Sequence, residues 1–146
     1  MRYLTLVNSN IDPASYARYQ CHLDQIEARL APDLYRMLRF PEQAYLDGAT
    51  FYDSTVVEWR ELLSLDDRRK VTQVRVVGPN QDREYLFTLQ DAVTTVTSAG
   101  PVFRLGQLYC VEVAWSADDG FSLSLVYVTR VEIQVSCATF AFEVRS

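Results

Sequence analysis

A chain of 146 residues that is 49% hydrophobic and 23% charged has the length of one domain, able to bury roughly two thirds of the surface its unfolded chain exposes. It carries too much Leu, Val, Phe and Tyr to remain disordered. The formal charge of -5 and pI near 4.8 argue against a nucleic-acid partner, whose affinity rests on clustered Lys and Arg neutralising phosphates.

Residues Arg2 to Val7 read as a short first strand, broken by the turn-forming "NSNIDP". Its apolar run is halted by Asn8, short of a signal-peptide core, and no stretch approaches the ~20 apolar residues that cross a membrane. Asp12 is a good N-cap, Pro13 suits the first helical position, and Ile11 with Tyr16 stands at the positions of a hydrophobic staple. Tyr16, Tyr19, Leu23, Ile26 and Leu30 then recur at steps of three and four, predicting a helix that ends near Ala31-Pro32 with one apolar stripe.

That helix carries the single histidine, His22, beside Cys21. Successive helical residues point about 100° apart, so the two are poorly placed to grip one atom. His22 is expected at the boundary or surface of the helix. "DLYRMLRFP" predicts a second, short helical segment stopped by Pro41.

After Gly48 the texture changes. "TFYDSTVVEW", "KVTQVRVV", "REYLFTLQ", "QLYCVEVAW", "FSLSLVYV" and "VEIQVSCATFAFEV" are rich in Val, Tyr, Phe and Thr, and several alternate with period two, as strands do. The links "GPNQD" and "SADDG" are of hairpin length, too short for a parallel crossover, and Gly120 is expected at positive φ. In the last segment Val131, Ile133 and Val135 share one parity, whereas Phe140, Phe142 and Val144 share the other, which predicts a bulge or bend near Ala138-Thr139. The expected fold is α+β: a single domain over 1–146, with N-terminal helices (about 12–40) packed on a curved, mainly antiparallel sheet or partly open barrel (about 49–145).

Catalytic motifs are hard to build from this inventory. The five glycines form no phosphate-cradling or nucleophile-elbow pattern, and one imidazole excludes the usual zinc motifs built on paired histidines. No cofactor or metal is expected. Three cysteines, Cys21, Cys110 and Cys137, lack CxxC spacing and lie in patterned apolar segments, so they read as small buried hydrophobes in a reducing, cytoplasmic compartment. Carboxylates need only the fold to bring them together. Asp53, interrupting "FYDSTVV", reads either as a local cap or as a buried acid with raised pKa.

Protein-binding features are better represented. Trp115 stands beside Asp118 and Asp119 at the hairpin "SADDG", and Asp66 with Asp67 precedes the basic run Arg68–Lys70. Aromatic residues with a polar rim are the usual makeup of such surfaces.

"LAPDLYRML" followed by "FYDSTVVEW" and a train of strands resembles small bacterial α+β proteins of unknown function, some of them immunity proteins that neutralise polymorphic toxins. The similar positions are Leu30, Pro32, Asp33 and Leu34, then Asp53-Ser54 leading into Val56 and Val57. Related-looking sequences carry a histidine before the aspartate, and Tyr52 stands there in this chain. The expectation that follows is a non-enzymatic domain that binds another, basic protein through Asp66, Asp67, Trp115, Asp118 and Asp119, as an immunity- or antitoxin-like inhibitor would. The alternative is a small-ligand-binding half-barrel with Tyr85, Phe87, Tyr109 and Tyr127 lining its cavity. A third is a hydrolase using Asp53 with a second acid.

Overall fold

The computed structural model describes residues 1–8, 10–63, 68–96 and 106–146. Within them lie three α-helices and ten strands, all paired antiparallel. The α+β class expected from the sequence is therefore observed, with the sheets curved but not closed into a barrel. No helix is long and apolar enough to cross a membrane.

The first strand is shorter than its apolar run. Leu6–Val7 (β1) pairs only with Asn10–Ile11 (β2), because Asn8 turns the chain at φ 51. Helix α1 (Pro13–Ile26) starts as its signals predict: Pro13 opens it, and the Asp12 carboxylate accepts the Ser15 N–H at 3.1 Å. It tightens into a 3-10 turn over Glu27–Arg29 before α2 (Pro32–Arg39), which buries Leu34, Met37 and Leu38. Pro41 does not merely stop this helix. Lacking an N–H that a first helical residue would leave unsatisfied anyway, it opens a third helix, α3 (Pro41–Leu46).

Strands β3 (Thr55–Leu63), β4 (Lys70–Val77), β5 (Glu84–Gln90) and β10 (Thr139–Arg145) form one four-stranded sheet in the order β10-β5-β4-β3. Strands β6 (Val93–Val96), β9 (Glu132–Cys137), β8 (Gly120–Tyr127) and β7 (Leu108–Ser116) form the other, in that order. β6 has no counterpart among the segments predicted from the sequence.

Two bent strands, β5 continuing into β6 and β9 into β10, run through both sheets. β5 pairs with β10 (Phe87 opposite Phe142), and their continuations β6 and β9 pair in turn (Val93 opposite Ser136). The passage is made at Asp91, which adopts φ 55, and at Ala138, whose N–H donates to the Gln90 carbonyl at 3.0 Å. Ala138 is the extra residue that moves the inward set from Ile133, Val135 and Cys137 to Phe140, Phe142 and Val144, the bend that the parity change predicts. The turn just before β3 meets the start of β7: Asp53 N–H donates to the Leu108 carbonyl (2.9 Å), and Leu108 N–H to that of Ser54 (2.8 Å).

One contiguous core fills the concave side. Tyr85, Phe87 and Leu89 of β5 and Val74 and Val76 of β4 meet Phe51, and Leu123, Leu125 and Tyr127 of β8 meet Val113, with Tyr19, Leu23, Leu34 and Leu38 among the helix residues that close it. Tyr85, Phe87 and Tyr127 are fully buried within this packing.

Helix α1 also completes the β7 edge. The Tyr19 hydroxyl accepts the Val113 N–H and donates to the Val113 carbonyl, both at 2.8 Å, and His22 Nε2 accepts the Trp115 N–H at 3.2 Å. Backbone groups of an edge strand, which would otherwise be left dry and unpaired, are thus satisfied by side chains of the covering helix. His22 is consequently buried rather than at the helix surface, and Tyr3 stacks on its ring at 4.2 Å. The fully buried Glu112 of β7 accepts the N–H groups of Arg2, Tyr3 and Leu4 at 2.6, 3.1 and 2.8 Å, fixing the N-terminal segment over this sheet.

Candidate functional site

The residues singled out in the sequence do not come together. Trp115, at the end of β7, is half-buried, and its ring is covered by the Arg29 guanidinium 3.5 Å from the centroid. Asp118 and Asp119 are exposed on the β7–β8 turn, where the Asp119 N–H donates to Ser116 Oγ at 3.1 Å. Gly120 sits there at φ 69 as expected, and a Cβ would lie 2.9 Å from the Cys137 carbonyl oxygen. Asp66 and Asp67 lie outside the described residues.

Asp53 is half-buried rather than a buried acid. It adopts φ 60 in the turn before β3, and the Ser54 hydroxyl braces that turn by donating to the Thr50 carbonyl at 2.9 Å. A short side chain tolerant of left-handed geometry is what such a turn needs.

The cysteines differ among themselves. Cys21 is exposed, Cys110 half-buried and Cys137 buried, so the expectation of three buried thiols holds for Cys137 alone. Burial, reinforced by Glu112, pushes the Cys110 thiol up to about 12, and burial alone raises Cys137 to about 11. Both are protonated at neutral pH and are poor nucleophiles.

The surface that stands out is elsewhere, around Pro41. An open groove of about 570 Å³ runs between the N-terminal half of α1 (Pro13, Tyr16, Gln20) and the α2–α3 junction (Arg39, Phe40, Glu42). A second hollow of about 390 Å³ lies on the other side of Pro41 and Glu42, against Tyr45, Leu46 and Tyr52. Between them a narrower cleft of about 160 Å³ reaches down past Tyr52 and Tyr109 to Cys110 and Phe51. Pro41 borders all three.

Large apolar side chains are unusually exposed on this face: Leu46 83%, Tyr45 61%, Tyr52 51% and Phe40 42%. Local chemistry explains how they are held out. Proline at the start of α3 and the short length of that helix leave Tyr45 and Leu46 on its outer side, with only Ala44 turned into the core. Ion pairs then fix the platform: Arg36 with Asp47 across α2 and α3, and Arg39 Nε with Asp24 at 2.8 Å across α2 and α1. The Tyr35 hydroxyl donates to the same Asp24 at 2.9 Å, and together these contacts hold the Asp24 carboxyl below its ordinary pKa.

The groove's charge follows. Arg39 is engaged by Asp24, whereas Glu42 has no ion-pair partner among the described residues, so the uncompensated charge on the rim is negative. No group of three His, Cys, Asp or Glu side chains among the described residues is placed to hold a metal ion.

Only Tyr109 of the aromatic quartet expected in a cavity borders any of these hollows. Sequence reading missed the groove because it ended the helical region near residue 40. The missed signal was present: Pro41-Glu42 repeats the Pro32-Asp33 start of α2, a proline at the first helical position with an acid in the first turn. No family model, curated protein or solved structure matches the chain.

Proposed function

We propose that this protein is a non-catalytic binding domain whose groove around Pro41 receives a basic partner protein. The observation that carries this reading is the concentration of Phe40, Tyr45, Leu46 and Tyr52, all exposed, on one concave face. Contiguous exposed apolar surface rimmed by polar groups is the usual mark of a protein-binding site. Its aromatic and leucine side chains would supply the buried centre of the interface.

Charge supports the basic character of the partner. Glu42 stands uncompensated at the rim, and the net charge of -5 steers cationic proteins toward the molecule as a whole. Asp118 and Asp119 add to this field from the exposed β7–β8 turn. The narrower form of the reading is an immunity- or antitoxin-like inhibitor acting in the cytoplasm, supported by the sequence resemblance, the acidic balance and three free thiols.

The test is affinity capture from lysate with the tagged wild-type protein and with Leu46→Asp and Glu42→Lys, in low and high salt. A basic protein held by the wild type, released by salt and lost from both variants is the expected result. Retention by both variants, or no capture by the wild type, overturns the reading.

A further inference from the structure

We propose that β3 is a self-association edge, pairing antiparallel with β3 of a second copy around a two-fold axis at Trp59. The first observation is the edge itself. β3 is nine residues long and ends its sheet, and beyond the two hydrogen bonds at Asp53 and Ser54 no described strand satisfies its outer side. An unpaired edge presents a row of N–H and C=O groups ready for another strand, and proteins that avoid pairing blunt it with proline, lysine or a covering helix. β3 contains no proline or lysine; its charges, Glu58, Arg60 and Glu61, are of mixed sign, and its bulge lies before Glu58.

The second observation is its exposed apolar surface. Val57, Leu62 and Leu63 of this one strand are 40%, 39% and 65% exposed, and Trp59 is half-buried between them. Pairing centred on Trp59 would cover that indole and Val57 beside it.

The third observation selects the occupant and its register. A two-fold axis perpendicular to an antiparallel pair must bring one residue opposite its own copy. An axis at Glu58 or Glu61 sets glutamate against glutamate, and one at Arg60 sets arginine against arginine, each a destabilising opposition. An axis at Trp59 instead places Glu58 opposite the second copy's Arg60 and Arg60 opposite its Glu58. It also stacks the two indoles across the junction. Glu58, Arg60 and Arg75 already form an ion-paired cluster within one chain (Arg60 to Glu58 3.2 Å, Arg75 to Glu58 3.5 Å), so pairing would extend it into a charge-alternating ladder.

The bulge between Val56 and Glu58 confines the joint to the segment after it, and the edge contact with Leu108 lies clear of that segment. A joint of this size is smaller than a standard interface of roughly 1,600 Å², so the dimer should be weak and concentration-dependent.

Sedimentation equilibrium over a concentration series tests the proposal. The wild type should dimerise reversibly, and Arg60→Glu and Glu58→Arg should each weaken the dimer by roughly tenfold or more, because each sets like charges opposite one another twice. The decisive sample is their equimolar mixture. One chain then carries acidic side chains on both sides of Trp59 and the other carries basic ones, so unlike charges face each other again and association should return as a heterodimer. Circular dichroism of each variant alone verifies that it is folded. A wild type that is monomeric at every concentration, a dimer indifferent to Arg60→Glu, or a mixture of folded variants that stays monomeric overturns it.

Discussion

Two tyrosines in this core carry the same phenol into opposite circumstances. Tyr19 commits its hydroxyl to both backbone groups of Val113 at the β7 edge, whereas the Tyr127 hydroxyl is buried without a hydrogen-bond partner. Burial alone raises the Tyr127 phenol to about 12, while Tyr19 is pushed well above its ordinary value chiefly by burial, against the opposing hydrogen bond to Val113. Removing a hydroxyl that satisfies two buried groups leaves both unpaired, and each such group costs about 1–3 kcal/mol. Tyr19→Phe should therefore destabilise the protein by roughly 2–4 kcal/mol. Tyr127→Phe removes a desolvated group that satisfies nothing, and should be neutral or stabilising by up to about 1 kcal/mol. Urea denaturation of the two variants checks the pair, and equal losses would contradict the hydrogen-bond assignment at Val113. Neither role was legible in the sequence: both tyrosines lie on apolar stripes, and the stripe tells which side is buried but not which backbone group the hydroxyl reaches.

At the level of elements, the docking of α1 on β7 makes one helix–strand contact dependent on pH. His22 accepts the Trp115 N–H through Nε2, which requires a neutral ring at that nitrogen. Burial first, and then the positive charge of Arg2, lowers the His22 pKa below its ordinary value. The unfolded chain therefore binds the proton at higher pH than the folded one. The contribution of His22 to stability is complete above the unfolded value of about 6.5 and is lost as pH falls from there toward the folded value. Stability measured by urea should decline between pH 7 and pH 5, and His22→Gln, which keeps an acceptor but cannot titrate, should flatten that decline. An unchanged slope in the variant would place the titration elsewhere. The start of α1 was readable from Asp12 and Pro13, and so was the bend at Ala138, because capping and inward parity are local codes. α3 and β6 were not: the first is only six residues long, and the second is a four-residue continuation of β5 beyond a left-handed Asp91, too short for periodicity to register.

For the molecule as a whole, the connection of the two sheets decides how it unfolds. Alternation of apolar residues announced the strands, yet it could not tell an open sheet from a barrel, since inward and outward residues alternate identically in both. The distinction rests on long-range pairing: β10 returns to β5 while β9 stays with β8, so two continuous strands, β5–β6 and β9–β10, belong to both sheets at once. Sheets that share strands cannot melt independently, because losing one removes half the ladder of the other. The two tryptophans report on this separately, Trp59 lying in β3 of one sheet and Trp115 in β7 of the other. Trp59→Phe and Trp115→Phe each leave a single fluorophore, and the two unfolding curves, each referred to the circular dichroism of its own variant, should coincide with the global transition. A sharper test adds Phe142→Ala in each background. Phe142 lies 5.0 Å from Phe87 and 6.1 Å from both Phe51 and Tyr85, all within the first sheet or packed on it, and truncating it should cost ~3 kcal/mol. If the shared strands couple the sheets, Trp115 will report the same loss as Trp59, although no ring of the Phe142 cluster touches it. A Trp115 transition left in place while that of Trp59 moves would show that the bends at Asp91 and Ala138 are hinges between two folding units.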